Sequence, residues 1–179
     1  ESNATGGGTT PAGSLIAVQA DQPAPAGYSL FQAGQLTSNA WEEKAPVSVA
    51  RYAADGVEVL DGKIYFVGGW NTSSYNIAER YDPVTNQWET LVPMSSARKG
   101  VAAAVLNGKF YAIGGKNLSS VEIYDPGTDQ WTAGPALPSI VTHGGAITAN
   151  GKIYSIGGWD SSNNYLDQVL ELNLATNQW

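Results

Sequence analysis

A repeat constrains this chain more than any other feature. Three blocks read DGKIYFVGGW (Asp61–Trp70), NGKFYAIGGK (Asn107–Lys116) and NGKIYSIGGW (Asn150–Trp159). Gly62 and Gly108 are 46 residues apart, and Gly108 and Gly151 are 43 apart. Each block is followed by a second one: ERYDPVTNQW ending at Trp88, EIYDPGTDQW ending at Trp131 and ELNLATNQW ending at Trp179. Trp41 extends the series, with spacings of 47, 43 and 48 residues. A fixed period of this size, built from strands, predicts a radial or solenoid array.

Each unit reads as four strands. The first is apolar and ends in Asp-Gly or Asn-Gly: Val57–Leu60, Val101–Leu106 and Ala146–Ala149. These dipeptides favour the two-residue type I′ hairpin, whose two central residues both need φ > 0. The second strand is the Lys-Ile/Phe-Tyr run, stopped by a Gly-Gly pair. The third ends at Tyr-Asp-Pro, where Asp bonds its own backbone and Pro fixes φ. The fourth starts near the Trp and runs towards Pro93 or Pro138. Ser95 to Leu106 (SSARKGVAAAVL) has the highest helix propensity in the chain, but Gly100 and its place in the repeat argue for a strand. Four antiparallel strands per unit, repeated radially, make a propeller blade.

Charge and composition narrow the function. The net charge is -7, against the basic face of a nucleic-acid binder. The chain has no cysteine, so disulfides, zinc ribbons and thiol catalysis are excluded. No apolar run approaches the roughly 18 residues of a membrane helix. The first residue is Glu1 rather than Met, as expected of a mature product or an excised piece.

The pattern resembles the kelch family of β-propellers. The residues that carry the resemblance are the doublets Gly68-Gly69, Gly114-Gly115 and Gly157-Gly158, the tyrosines Tyr81 and Tyr124, and Trp88, Trp131 and Trp179. Arg51 and Arg98, before the first strand, also fit. The resemblance covers about residues 41 to 179. It implies blades packed face to face, with Trp wedged between neighbours and the Gly pair permitting close backbone approach. Leu172 and Asn173 replace Tyr-Asp in the last unit, and Val141 stands where Arg98 stands in the unit before. Some kelch propellers are copper oxidases that use a Cys-linked tyrosine and two histidines. With no Cys and a single His, this chain does not match them.

The first 40 residues align weakly: Gly13–Ala20 can be laid on Gly62–Gly69, and Tyr28–Phe31 on a third strand before Trp41. The chain divided by four gives about 45 residues, near the period. The expectation is an all-β, four-bladed kelch-like propeller with units of about 13–41, 42–88, 89–131 and 132–179. One blade is incomplete, because its first strand is missing before Gly13 and its fourth would begin at Trp179. Residues 1–12 would be a flexible or strand-donating segment. An unpaired edge is a template for another strand. The gap would be filled by this segment, by a strand from a neighbouring copy in a head-to-tail filament, or by the rest of a longer propeller.

No catalytic constellation is legible. His143 is the only histidine and lies in the loop before a first strand, where a structural or solvent role is expected. Asp160 and Asp167 flank a Ser/Asn loop that fits no calcium pattern, so no metal and no cofactor are expected. The candidate ligand-binding residues are Trp70, Tyr75, Trp159, Tyr165, Arg51, Arg98 and His143. Loops after the second and fourth strands of a blade open on one face, and flat rings beside Asn and Ser suit sugars or peptides. Asn3, Asn71 and Asn117 open Asn-X-Ser/Thr triplets and are candidate glycan acceptors.

These features predict a non-catalytic, extracellular or cell-surface structural or interaction module, self-associating through its strand gap. A carbohydrate- or peptide-binding propeller is the alternative. A fragment of a larger kelch-type enzyme, such as an epimerase or lyase working through Arg51 or Arg98, is a third. A cytoplasmic adaptor is disfavoured because no partner domain accompanies the repeats.

Overall fold

The computed structural model describes residues 41–179 apart from residue 54. The segment 1–12, the weak unit at 13–41 except for Trp41, and Asn3 lie outside the described residues. The chain divides into units Glu1–Glu43 and Lys44–Trp179, and the second holds the eleven described strands.

They form three antiparallel sheets. The first is β1 (Gly56–Leu60), β2 (Lys63–Val67), β3 (Ala78–Asp82) and β4 (Gln87–Thr90), in that spatial order. The second is β5 (Ala102–Leu106), β6 (Lys109–Ile113), β7 (Val121–Asp125) and β8 (Gln130–Gly134), again in sequence order. The third contains β9 (Gly145–Ala149), β10 (Lys152–Ile156) and β11 (Val169–Glu171), followed by a single bridge between Asn173 and Gln178. The described residues therefore supply three blades, and the expected fourth falls on the segment outside them. Each complete sheet runs two or three residues past the Trp at which the sequence units were divided. The helix propensity of Ser95–Leu106 loses to β5, whose central alanines are buried between neighbouring sheets.

Local chemistry sets the registers. Asp61-Gly62, Asn107-Gly108 and Asn150-Gly151 all have both φ angles positive, between 49° and 73°. The pairs Leu60↔Lys63, Leu106↔Lys109 and Ala149↔Lys152 close around them, as a type I′ turn requires. At the next turn, Asp82 Oδ1 accepts from the Val84 N–H at 2.8 Å and Asp125 Oδ1 from the Gly127 N–H at 3.0 Å. Asn173 Oδ1 accepts from the Ala175 N–H at 2.9 Å, so the apparent departure keeps the turn chemistry.

The core lies between the sheets. One cluster joins Leu60, Tyr65 and Val67 of the first blade to Ala103, Phe110 and Tyr124 of the second. Tyr65 stands 5.8 Å from the Phe110 ring. A second cluster joins Leu106, Tyr111 and Ile113 to Val141, Ile153 and Leu172. Each such buried side chain contributes about 1.5–3 kcal/mol. Trp131 and Trp179 pack against the first and second clusters respectively, at the blade junctions. The indole N–H groups of Trp88, Trp131 and Trp179 donate to the carbonyls of Ala45, Val92 and Pro135 at 2.8, 2.8 and 2.7 Å. Each Trp thereby ties its blade to the segment that leads into it. Trp41 is fully exposed and in no strand, so it does not share this seat.

The Gly pairs are where successive blades touch. A Cβ on Gly68 would sit 2.6 Å from the Arg98 carbonyl oxygen, and one on Gly114 would sit 2.5 Å from that of Val141. Gly69 and Gly115 donate their N–H groups to these same two carbonyls, both at 2.8 Å.

Candidate functional site

The loops after β2, β6 and β10 are held by the Gly pairs, so their positions are set by blade contact rather than by loop sequence. In the third blade, Trp159 exchanges backbone hydrogen bonds with Thr142 at 2.9 and 3.0 Å. Its ring lies 6.0 Å from Tyr165, edge to face at 87°, and 5.5 Å from His143. Trp159 is 39% and Tyr165 84% exposed. Asp160 turns the loop between them. Its Oδ1 accepts from the N–H groups of Ser162 and Asn164, and its Oδ2 from the Asn164 side chain. These bonds, the Asn164 side chain first, hold its carboxyl below its usual value. No group of three metal-ligating side chains occurs among the described residues.

The corresponding loop of the first blade is arranged differently. The Lys99 ammonium lies over the Trp70 ring, 4.0 Å from its centre. The Tyr75 carbonyl accepts from the Arg98 N–H at 2.8 Å. Trp159, Tyr165 and His143 thus come together, whereas Trp70 and Tyr75 serve separate contacts.

Arg51 and Arg98 are corrections to the expected binding face. Arg98 is fully buried. Its guanidinium meets Glu122 at 2.9 Å and donates to the carbonyls of Gly114 and Ser120 at 2.6 and 2.8 Å and to Ser120 Oγ at 2.9 Å. Arg51 pairs with Glu79 at 2.6 Å, its side chain also buried, and lies over the Phe66 ring. Burial pushes the Arg98 pKa down, while Glu122 opposes the shift. Burial also pushes the Glu122 and Glu79 carboxyls up. Hydrogen bonds from Ser95 and Arg98 to Glu122, and from Ser48 and Arg51 to Glu79, outweigh it and hold both carboxyls below their usual value. Each arginine ties the segment before a first strand to the third strand of its own blade, and neither presents a charge to a ligand.

A hydrogen-bonded line of backbone runs from blade to blade inside the loops. The Gly100 N–H donates to the Ala53 carbonyl at 2.7 Å, and the His143 N–H to the Gly100 carbonyl at 2.8 Å. All three residues have left-handed φ, between 51° and 60°. His143 Nδ1 lies 2.8 Å from Asp55 Oδ2, linking the segments before β1 and β9 across the second blade. Beside this line is a cavity of about 240 Å³ lined by Lys99, Lys116, Thr142, His143, Trp159 and Asp160, among others. Lys99 and Asp55 escaped the sequence reading. Their one signal was position: Lys99 occupies the repeat place of Thr142, immediately before Gly100 of the inner line.

The glycan candidates both lie in these loops. Asn71 donates through Nδ2 to the Ala50 carbonyl at 3.2 Å, and Asn117 has φ of 63° at a turn.

The family model for the Kelch motif matches residues 56–95, 97–138 and 141–179. Kelch-like ECH-associated protein 1A of Danio rerio is 41% identical over 70 residues, which are 36% of this chain and 12% of that protein. A putative F-box/kelch-repeat protein of Arabidopsis thaliana is 40% identical over 85 residues, 45% and 21% of the two chains. An influenza virus NS1A-binding protein homolog of Mus musculus is 37% identical over 75 residues, 40% and 12%. The solved structure of YjhT superposes with a TM-score of 0.69 at 21% identity, over 76% of this chain and 53% of that one. The matches thus cover about an eighth to a fifth of these relatives' length and about half of the solved structure. The relatives overturn the extracellular or cell-surface setting, because they belong to the intracellular kelch-like and F-box/kelch classes. Without that setting, the triplets at Asn71 and Asn117 lose the context that made them acceptor candidates.

Proposed function

The chain belongs to the kelch-repeat family of β-propellers, and from that premise we propose that it is a non-catalytic protein-interaction module. It would bind a partner segment on the face formed by the loops after β2, β6 and β10. One observation carries this reading: Trp159 and Tyr165 stand exposed as an edge-to-face pair on a loop anchored by Gly157-Gly158. The inner blade aromatics Tyr65, Phe110 and Tyr124 are buried in the core instead. Rigid aromatic anchors that lose little conformational freedom are what peptide-binding surfaces use. A random peptide library panned on the purified chain tests it. Enriched peptides should lose binding on Trp159→Ala and keep it on Val84→Ala, an exposed residue of the turn between β3 and β4. Enriched peptides indifferent to Trp159→Ala, or no enrichment at all, would sink the reading.

Self-association by strand addition is the second reading. The observation that favours it is that, among the described residues, β11 is the outer strand of its sheet and only the Asn173–Gln178 bridge lies beyond it. Sedimentation velocity over a hundredfold concentration range should then show growing oligomers, and a single monomer boundary throughout would remove it.

A further inference from the structure

The bookkeeping of positive charge singles out one place on the molecule. All nine Lys and Arg side chains lie among the described residues. Six meet a carboxylate: Arg51 with Glu79, Lys63 with Asp82, Arg80 with Glu89, Arg98 with Glu122, Lys109 with Asp125 and Lys152 with Glu171. Of the other three, Lys44 does not line the cavity described above, and Lys99 and Lys116 have no carboxylate partner among the described residues. In a protein of net charge -7, with acidic groups in excess, these two lysines line the same cavity, and the Lys99 ammonium rests over the Trp70 ring rather than on a carboxylate. Their backbones are held side by side, because the Lys116 N–H donates to the Lys99 carbonyl at 2.9 Å.

The rest of the cavity fits an anion carried on a partly apolar body. Trp159 forms one wall, backed by Tyr165. Asp160, the acidic residue in the lining, is turned into its own loop, both carboxylate oxygens already accepting from Ser162 and Asn164. His143, beside Trp159, faces Asp55 through Nδ1. The two lysines are separate point charges, and no guanidinium fork of the kind that grips phosphate lines the site.

We propose that the cavity between the second and third blades is a carboxylate-binding subsite, in which Lys99 and Lys116 pair with acidic side chains of a partner peptide and Trp159 packs against an apolar neighbour in that peptide. This rests on the interaction-module reading and names the chemistry of the segment it would bind. Electrostatic attraction between two lysines and an acidic segment gives orientation and rate as well as affinity.

The test uses the full chain and a fluorescein-labelled Glu-Glu-Phe-Glu-Glu peptide, followed by anisotropy. The Gln-Gln-Phe-Gln-Gln peptide should bind about tenfold more weakly, the worth of one or two exposed ion pairs. Lys99→Gln with Lys116→Gln should weaken the acidic peptide by a similar factor and flatten its salt dependence. Lys63→Gln with Lys109→Gln, which removes the same charge elsewhere, should leave affinity within about twofold. Equal binding of the acidic and amide peptides, or equal losses in the two lysine double variants, overturns the proposal. So does a phosphoserine peptide that binds tighter than the glutamate one. Thermal melts establish that each variant is folded. The panned library separates the two levels: enriched peptides without Asp or Glu that still need Trp159 would leave the interaction module standing and remove the carboxylate subsite.

Discussion

The second and third blades hold the same backbone seat by opposite chemistry. In the second, the junction is filled by Arg98 and Glu122, a buried ion pair completed by Gly114 and Ser120. In the third, the repeat places Val141 at the arginine position and Leu170 at the glutamate position, and both pack in one apolar cluster. The two replacements come together, so neither blade leaves a lone charge buried. A buried ion pair and an apolar pair of similar size contribute comparably to stability, whereas a widowed charge is costly. The burial patterns differ as well. The β5 residues Ala102–Leu106 are almost continuously buried, flanked by a sheet on each side, while β9 alternates between exposed and half-buried.

The largest expected effect comes from breaking the pair halfway. Arg98→Val or Glu122→Leu alone should cost about 3–5 kcal/mol, because each leaves the other charge buried without its partner. The double variant, which writes the third blade's solution into the second, should recover most of that loss. Urea denaturation of all four proteins gives the coupling energy, and additive single costs would show that the two positions act independently.

The next effect separates contact from conformation at glycine. Gly114→Ala forces a Cβ to within 2.5 Å of the Val141 carbonyl at a φ of 64° and should cost about 3 kcal/mol. Gly151→Ala has a similar φ of 73° with nothing within 4 Å, and should cost about 1 kcal/mol. Matching losses in thermal denaturation would mean that blade contact is not what selects the doublet.

Acid should reveal the same asymmetry between blades. The Glu122 carboxyl is held below its usual value of 4.5 in the fold. Its stabilisation is therefore present at neutral pH and disappears as pH falls below 4.5 through the lower folded value. Denaturation midpoints followed from about pH 6 to about pH 3 should fall less steeply in the Arg98→Val/Glu122→Leu protein than in the native one. Parallel curves would assign the acid sensitivity to other carboxylates, Glu79 first.

The smallest effect tests a hydrogen bond that the third blade has dispensed with. Tyr124 donates its hydroxyl to Asp129 at 2.8 Å, and Leu172 occupies the equivalent place in the third blade. Tyr124→Phe should cost about 0.5–1 kcal/mol, since Asp129 still accepts from the Val92 N–H. A loss above about 2 kcal/mol in calorimetry would make this bond part of a larger network.

The repeat made the strands, hairpins and turns legible, because each depends on residues close in sequence. Asn107-Gly108 closes its hairpin through the φ of two adjacent residues, and Asp125 bonds a backbone N–H two positions away. Trp159 and Tyr165 were legible as one loop's aromatic pair for the same reason. The arginines were misread for the opposite one. Arg51 and Arg98 stand just before a first strand, which on the sequence is indistinguishable from a loop facing solvent. Only the carboxylates 28 and 24 residues further on, brought in by β3 and β7, show them to be buried.

The amino-acid order alone determined that this is a series of kelch-type blades, where each sheet turns and where neighbouring backbones must approach, because short-range sterics and turn hydrogen bonding act within a few residues. Folding in three dimensions decided which charges were cancelled and which remained. Ion pairing depends on distance in space: Glu79 and Glu122 neutralise Arg51 and Arg98, while Lys99 and Lys116 meet no carboxylate among the described residues and line one cavity.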